Sequence, residues 1–214
     1  MDDIVAEHES KRKSEFDTLQ SQINPHFLYN TLDIIVWMIE NEQKAEAVKI
    51  VTALARFFRI SLSKGKSIIT VRDELEHVRN YLMIQQMRFK NKFEYEIDAD
   101  PESLNLASLK LMLQPLVENA IIHGISPKGQ GGRIHVRSWM EGRRLWISVA
   151  DTGRGMAQER LEEIRLALAR GEEKATGVGV GNIYRRVHGM YRDGEVFIYS
   201  SEGRGTVVQM AFTP

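Results

Sequence analysis

Apolar and polar positions along the chain follow two different periods. Between Glu15 and Glu40, residues Phe16, Leu19, Ile23, Phe27, Ile34 and Met38 recur at helical spacing and form one apolar stripe. From Ala45 to Leu62 a second stripe carries Val48, Val51, Leu54, Ala55, Phe58 and Leu62, and Lys64-Gly65-Lys66 supplies the basic residues and glycine that end a helix. A third periodic stretch, Val71 to Phe89, opens on Asp73 and Glu74, acids suited to a helix N-terminus, and continues through Leu75, Val78, Leu82 and Met83. Beyond residue 90 the period changes. Phe93 to Ile97 alternates apolar and polar as a strand does, and Pro101 closes it. A helix is predicted from about Leu106 to His123, then strands over Arg133–Trp139 and Arg144–Ala150 joined through Glu141-Gly142. Helices over 157–170 and 180–191 follow, then strands Glu195–Ser200 and Thr206–Phe212 around Gly203-Arg204-Gly205.

This pattern predicts a helical part, residues 1–90, and a mixed part, residues 91–214. Two long amphipathic helices joined by a short link form a hairpin with one apolar face uncovered. A second copy of the chain covers such a face economically, giving a dimeric four-helix bundle; packing on the chain's own α/β part is the plainer alternative. The second part is expected to be an α/β sandwich, a mixed sheet covered on one face by helices, so the whole is α+β.

Composition narrows the partners. Lys+Arg and Asp+Glu are 29 each, which removes the basic surplus that a nucleic-acid partner needs. The absence of cysteine excludes disulfides, thiol nucleophiles and Cys-bound metals. There is no run of about 18 apolar residues to span a bilayer, and the N-terminus lacks the basic and apolar regions of a signal peptide. The charged, helix-favouring start suggests a piece of a longer protein, with any membrane contact made by segments outside this chain.

Four local motifs carry candidate chemistry. In Leu116-Val-Glu-Asn-Ala-Ile-Ile-His-Gly124, Asn119 and His123 share one helix face, and an asparagine carbonyl is a hard oxygen ligand suited to Mg²⁺. In Val149-Ala-Asp-Thr-Gly-Arg-Gly-Met156, an apolar strand runs into a carboxylate and two glycines that permit close backbone approach. An aspartic-protease reading of Asp-Thr-Gly requires a β-rich chain with a second such motif, and there is none. Gly177-Val-Gly-Val-Gly-Asn182 leads into a helix, an arrangement that turns backbone N–H groups and a helix dipole toward an anion. Gly203-Arg-Gly-Thr206 precedes the last strand. Taken singly, each is as readily a cap, a surface pair or a turn.

Together and in this order, the motifs strongly resemble those of the GHKL ATPases, the superfamily of gyrase, Hsp90, MutL and the histidine kinases. The resemblance implies a Bergerat-type fold with ATP under a mobile lid. Asn119 would hold Mg²⁺ and Asp151 the adenine amino group; Gly153 and Gly155 would shape the adenine pocket; Gly177 and Gly179 would face the phosphates; Thr206 would support the site from the last strand. Residues 157–176 would be the lid. Leu19-Gln-Ser-Gln-Ile-Asn-Pro-His-Phe-Leu-Tyr-Asn-Thr-Leu32 is similar to the phospho-acceptor segment of LytS/YehU-type histidine kinases, and Leu111–Gly124 and Asn182-Ile-Tyr-Arg-Arg-Val match the same group. These matches add His123, Asn182 and Arg186 to the nucleotide-binding set and imply that His26 is phosphorylated.

His26 falls with Gln22 and Asn30 on a polar stripe beside the apolar face, where a histidine is part-exposed and available as a nucleophile. Asn24-Pro25 reads locally as a helix start, yet the apolar stripe runs through it, which suggests a kink. Phe27 stands where the best-known histidine kinases carry an acid, so Glu118 is the candidate base. The activity implied is autophosphorylation of His26 by Mg-ATP in a homodimer, then transfer to an aspartate on a response-regulator receiver domain. The setting implied is the cytoplasmic portion of an inner-membrane sensor. An ATP-driven conformational clamp, or a catalytically silent ATP-binding scaffold, is the alternative from another class.

Overall fold

The computed structural model describes residues 25–62, 67–90, 92–129, 131–171 and 178–214. The chain divides into two compact units, Met1–Gly65 and Lys66–Pro214.

In the first unit, helix α1 (Pro25–Glu40) and helix α2 (Lys44–Ser61) form a hairpin. Its interior is Phe27, Thr31, Ile35 and Met38 from α1 with Ala47, Ile50, Ala53, Phe57 and Ile60 from α2, and the Phe27 and Phe57 rings lie 5.0 Å apart. The buried hydroxyls are satisfied within their helices: Thr31 donates to the Phe27 carbonyl and Ser61 to that of Phe57. The stripe expected in α2 is therefore not the face that closes the hairpin. Val48 and Val51 are exposed, Leu54 and Phe58 half-buried. Two apolar faces share this helix, and sequence periodicity picks out the outer one. In α1, Phe27 and Met38 of the expected stripe are buried; Phe16, Leu19 and Ile23 lie outside the described residues, as does the chain before Pro25 on which the bend expected there depends.

The second unit begins with strand β1 (Ile68–Thr70) and helix α3 (Val71–Arg88). Thr70 caps α3, accepting the Asp73 amide at 3.1 Å while its hydroxyl donates to the Asp73 carboxylate. Strand β2 (Phe93–Ala99) follows, then β3 (Ala107–Leu109), which pairs antiparallel with β1. This two-stranded ladder, absent from the sequence pattern, replaces the start of the helix expected from Leu106. Helix α4 (Leu113–Asn119) begins later and continues through a π-helical turn, Ala120–Ile125, into a 3₁₀ turn, Ser126–Lys128. Strands β4 (Gly132–Glu141) and β5 (Arg144–Asp151), helices α5 (Gln158–Arg170) and α6 (Val178–Met190), and strands β6 (Glu195–Ser201) and β7 (Gly205–Phe212) complete it.

The main sheet has the order β2-β4-β5-β7-β6, parallel between β2 and β4 and antiparallel elsewhere, so it is mixed as expected. Alternate residues Ile134 and Val136, Leu145, Ile147 and Val149, Val208, Met210 and Phe212 point to the core beneath the helices. The opposite face carries a stacked row of Trp139, Trp146 and Phe197. By packing, α3 belongs to this second unit, with its Val71, Leu75, Val78, Leu82 and Ile84 buried; the sequence pattern grouped it with the first. No helix among the described residues is long and apolar enough to cross a membrane.

Candidate functional site

The π-helical turn after Asn119 lets the chain meet the end of β5. The Gly124 carbonyl accepts the Arg154 amide at 2.9 Å. No side chain fits at this crossing: a Cβ on Gly153 would stand 2.3 Å from the Gly124 carbonyl carbon. Asp151 ends β5 with its Oδ1 accepting the Gly153 amide at 2.7 Å, which fixes the carboxylate across the turn. Gly155 then takes a φ of +63°, a region that L side chains rarely adopt.

The last two strands support the turn from the other side. Ser200 is its hub: it accepts the Met156 amide, donates to the Gly205 carbonyl and shares a hydrogen bond with the Thr206 hydroxyl, each at 2.9 Å. Thr206 is paired with Asp151 across β5 and β7. Sequence reasoning found Thr206 but not Ser200, because nothing in a strand's alternation marks a hydroxyl as a junction.

These elements enclose a cavity of about 480 Å³. Asn119, His123, Asp151, Gly155, Gly179 and Thr206 line it. They are brought together from four separate stretches of sequence. Leu116, Val149, Ile164, Ile198 and Val208 give it apolar walls, while Arg154 and Arg160 bring cations to it. A mostly apolar hollow with a few convergent polar groups is the usual form of a small-molecule site. Gly179 opens α6 against Asn119, since a Cβ there would stand 2.6 Å from Asn119 Nδ2.

Other expected residues fall elsewhere. Gly153 packs beneath the cavity on Gly124 rather than lining it, and Asn182 is exposed on α6 outside the lining. Arg186 donates from Nη1 to the Leu111 carbonyl at 3.1 Å and from Nη2 to the Lys110 carbonyl, and it does not line the cavity. Glu118 is half-buried and accepts from Gln114 Nε2 at 2.8 Å; burial raises its pKa, opposed by its hydrogen bonds to Gln114 and Tyr81. It does not line the cavity. Gly177 lies outside the described residues. His26 is exposed in the first unit. The lid expected over 157–176 is described in part, and its Arg160 and Ile164 line the cavity. Residues 158–170 are helix α5, held by buried Leu161, Ile164, Ala167 and Leu168 and packed on β6. Residues 172–176 are outside the described set.

Residues 105–214 match the family described as histidine kinase-, DNA gyrase B-, and HSP90-like ATPases, and residues 14–93 match the histidine kinase family. The chain belongs to these ATPases. Within them it is similar to sensor histidine kinase YesM of Bacillus subtilis, at 34% identity over 91% of this chain and 32% of that protein. Sensor protein LytS of Bacillus anthracis is 31% identical over 95% of this chain and 35% of its own length. The chain spans about a third of the length of these curated relatives. The histidine kinase domain of the blue-light activated histidine kinase from Erythrobacter litoralis shares its fold, with TM-score 0.52 and 20% identity over 95% of both chains.

Proposed function

We propose that this chain binds Mg-ATP in the cavity of the second unit and transfers the γ-phosphoryl group to His26. The observation that carries the reading is the convergence of Asn119, Asp151, Gly179 and Thr206 on one hollow. Asp151 accepts the adenine amino group, as its fixed carboxylate suits an N–H donor. The apolar walls Val149, Ile164, Ile198 and Val208 take the faces of the base. Arg154 and Arg160 and the start of α6 face the phosphates, where cations and unpaired helix amides suit an anion. Asn119 would hold Mg²⁺ through its side-chain oxygen, and the ion's chemistry there is neutralisation of phosphate charge.

In the transfer, a lone pair on a neutral His26 ring nitrogen forms the N–P bond, the bond from phosphorus to the ADP oxygen breaks, and the ring's remaining N–H proton passes to solvent. A neutral imidazole needs no strong base, which fits Phe27 in the following position and a Glu118 engaged by Gln114 and Tyr81. The work left to the protein is positioning and charge neutralisation. The phosphoryl group then passes to an aspartate on a response-regulator receiver domain. The helical hairpin carries the acceptor and pairs with a second copy, consistent with exposed Leu32, Val36, Trp37, Ile39, Val48 and Val51. The activity separates this reading from a clamp or a silent scaffold. With γ-labelled Mg-ATP, base-stable and acid-labile label is expected on the protein; hydrolysis without label contradicts it.

A further inference from the structure

Helix α3 buries a carboxylate that the proposed chemistry does not use. Glu74 is fully buried, and its oxygens accept two amides of a neighbouring segment, Leu111 at Oε2 and Leu113 at Oε1, each at 2.8 Å; the Met112 amide also reaches it. Leu111 holds a φ of +58°, unfavourable for a branched side chain, so the turn must be held by its surroundings. It is held from both sides. Glu74 takes the amide of Leu111, and Arg186 of α6 donates to its carbonyl and to that of Lys110. Burial raises the pKa of Glu74 and lowers that of Arg186, and each charge opposes the shift of the other. What the two side chains share is the turn itself, Glu74 on its amides and Arg186 on its carbonyls.

The turn 110–113 is the start of α4, whose far end is Asn119. Helix α6 lies alongside α4 in the opposite sense, with Arg186 at Leu111 and Gly179 against Asn119. We propose that Glu74 and Arg186 are positioning residues that fix the start of α4 against α6, and thereby set the Asn119 side chain at the glycine-led start of α6. The segment of Ser67, β1 and α3 holds the same turn twice, through Glu74 and through the Ser67 carbonyl, which accepts the Lys110 amide at 2.9 Å. Displacement of α3 therefore moves the turn, and the turn moves Asn119 relative to Gly179. The inference rests on the nucleotide reading of the cavity and makes its helix pair adjustable from α3.

The test compares the full wild-type chain with Glu74→Gln, Arg186→Met and the double variant, at a temperature where circular dichroism shows all four folded. Calorimetry with Mg-ATP reads the site, and amide hydrogen exchange of the nucleotide-free protein reads the helices. The expected result is a loss of ATP affinity of about tenfold in each single variant. The double variant should lose no more than the worse single one, because both residues act through one turn. Exchange should quicken in residues 113–125 and 178–190 but not in β4, β5 and β7. Where Glu74→Gln does not fold, Arg186→Lys replaces it, keeping the charge but losing the two-pronged donor. Wild-type affinity and exchange in folded variants overturn the proposal, as do losses that multiply in the double variant. A wild-type chain that binds no nucleotide overturns the functional reading instead, and the exchange pattern then still decides whether the turn couples the two helices.

Discussion

Asp151 stands where β5 runs into the glycine turn, with one oxygen already committed to the Gly153 amide. Asp151→Asn keeps that acceptor through its amide oxygen, so the turn should persist. What is lost is a charged acceptor for the base, roughly 1.5–3 kcal/mol and so tenfold or more in ATP affinity by calorimetry. Gly179→Ala acts differently, because its new Cβ meets Asn119 Nδ2 at 2.6 Å and the amide must swing aside. The expected outcome is weakened Mg-ATP binding, with adenosine binding and melting temperature close to wild type. Asn119, Asp151, Gly155, Gly179 and Thr206 were readable in the sequence because each sits in a local motif whose chemistry or backbone requirement is visible there. The hold of Arg186 and Glu74 on the turn at Leu111 was not. A helix position tells which face a side chain occupies, not which loop that face meets, and both residues act on a turn more than 30 positions away.

Among the elements, α3 shows how periodicity can place a helix and miss its role. Its apolar positions predicted a helix over Val71–Phe89, and the helix runs from Val71 to Arg88. The pattern could not show that Glu74 and His77 are buried, since acids and histidines read as surface. Burial lowers the His77 pKa from its ordinary 6.5 to about 3, with the charge of Lys110 adding to the effect. The folded state therefore binds fewer protons than the unfolded one between these values, and its stability falls as pH drops below 6.5. The slope is about 1.4 kcal/mol per pH unit, or about 2 kcal/mol between pH 6.5 and 5. Glu74, whose pKa burial raises, contributes in the opposite sense: its share of stability is lost as pH rises through its folded pKa. The His77 contribution is thus read as a difference. Urea midpoints for His77→Gln should depend less steeply on pH than those of wild type across this window; parallel slopes would contradict a buried neutral histidine. The late start of α4 has a similar lesson. The apolar run from Leu106 was read as helix, but its first residues pair with β1, a partner of only three residues that leaves no alternation to detect.

At the scale of the whole molecule, the sequence conveyed a helical part followed by a mixed sheet because the change of period near residue 90 is large. It did not convey that the compact units divide at Gly65, since packing of α3 is a tertiary property. The hairpin's second apolar face is where assembly is expected. Val51→Glu puts a carboxylate among Val48, Leu54 and neighbouring apolar groups, costly in a seam and harmless on a free surface. Light scattering should show a wild-type dimer at micromolar concentration and a monomeric Val51→Glu of unchanged helicity; a monomeric wild type would argue against the bundle.

His26 in the first unit and the cavity in the second are joined by function only if the phosphoryl group moves from one to the other. His26→Gln tests that link most directly, because glutamine keeps the hydrogen-bonding character and helix tolerance of the position but has no ring nucleophile. Wild type and variant are incubated with γ-labelled Mg-ATP under identical conditions, with ATP affinity and oligomeric state measured on the same samples. The account predicts acid-labile label on the wild type, none on His26→Gln, and equal affinity and assembly for both. Labelling of His26→Gln at the wild-type rate would contradict it and place the acceptor on another residue.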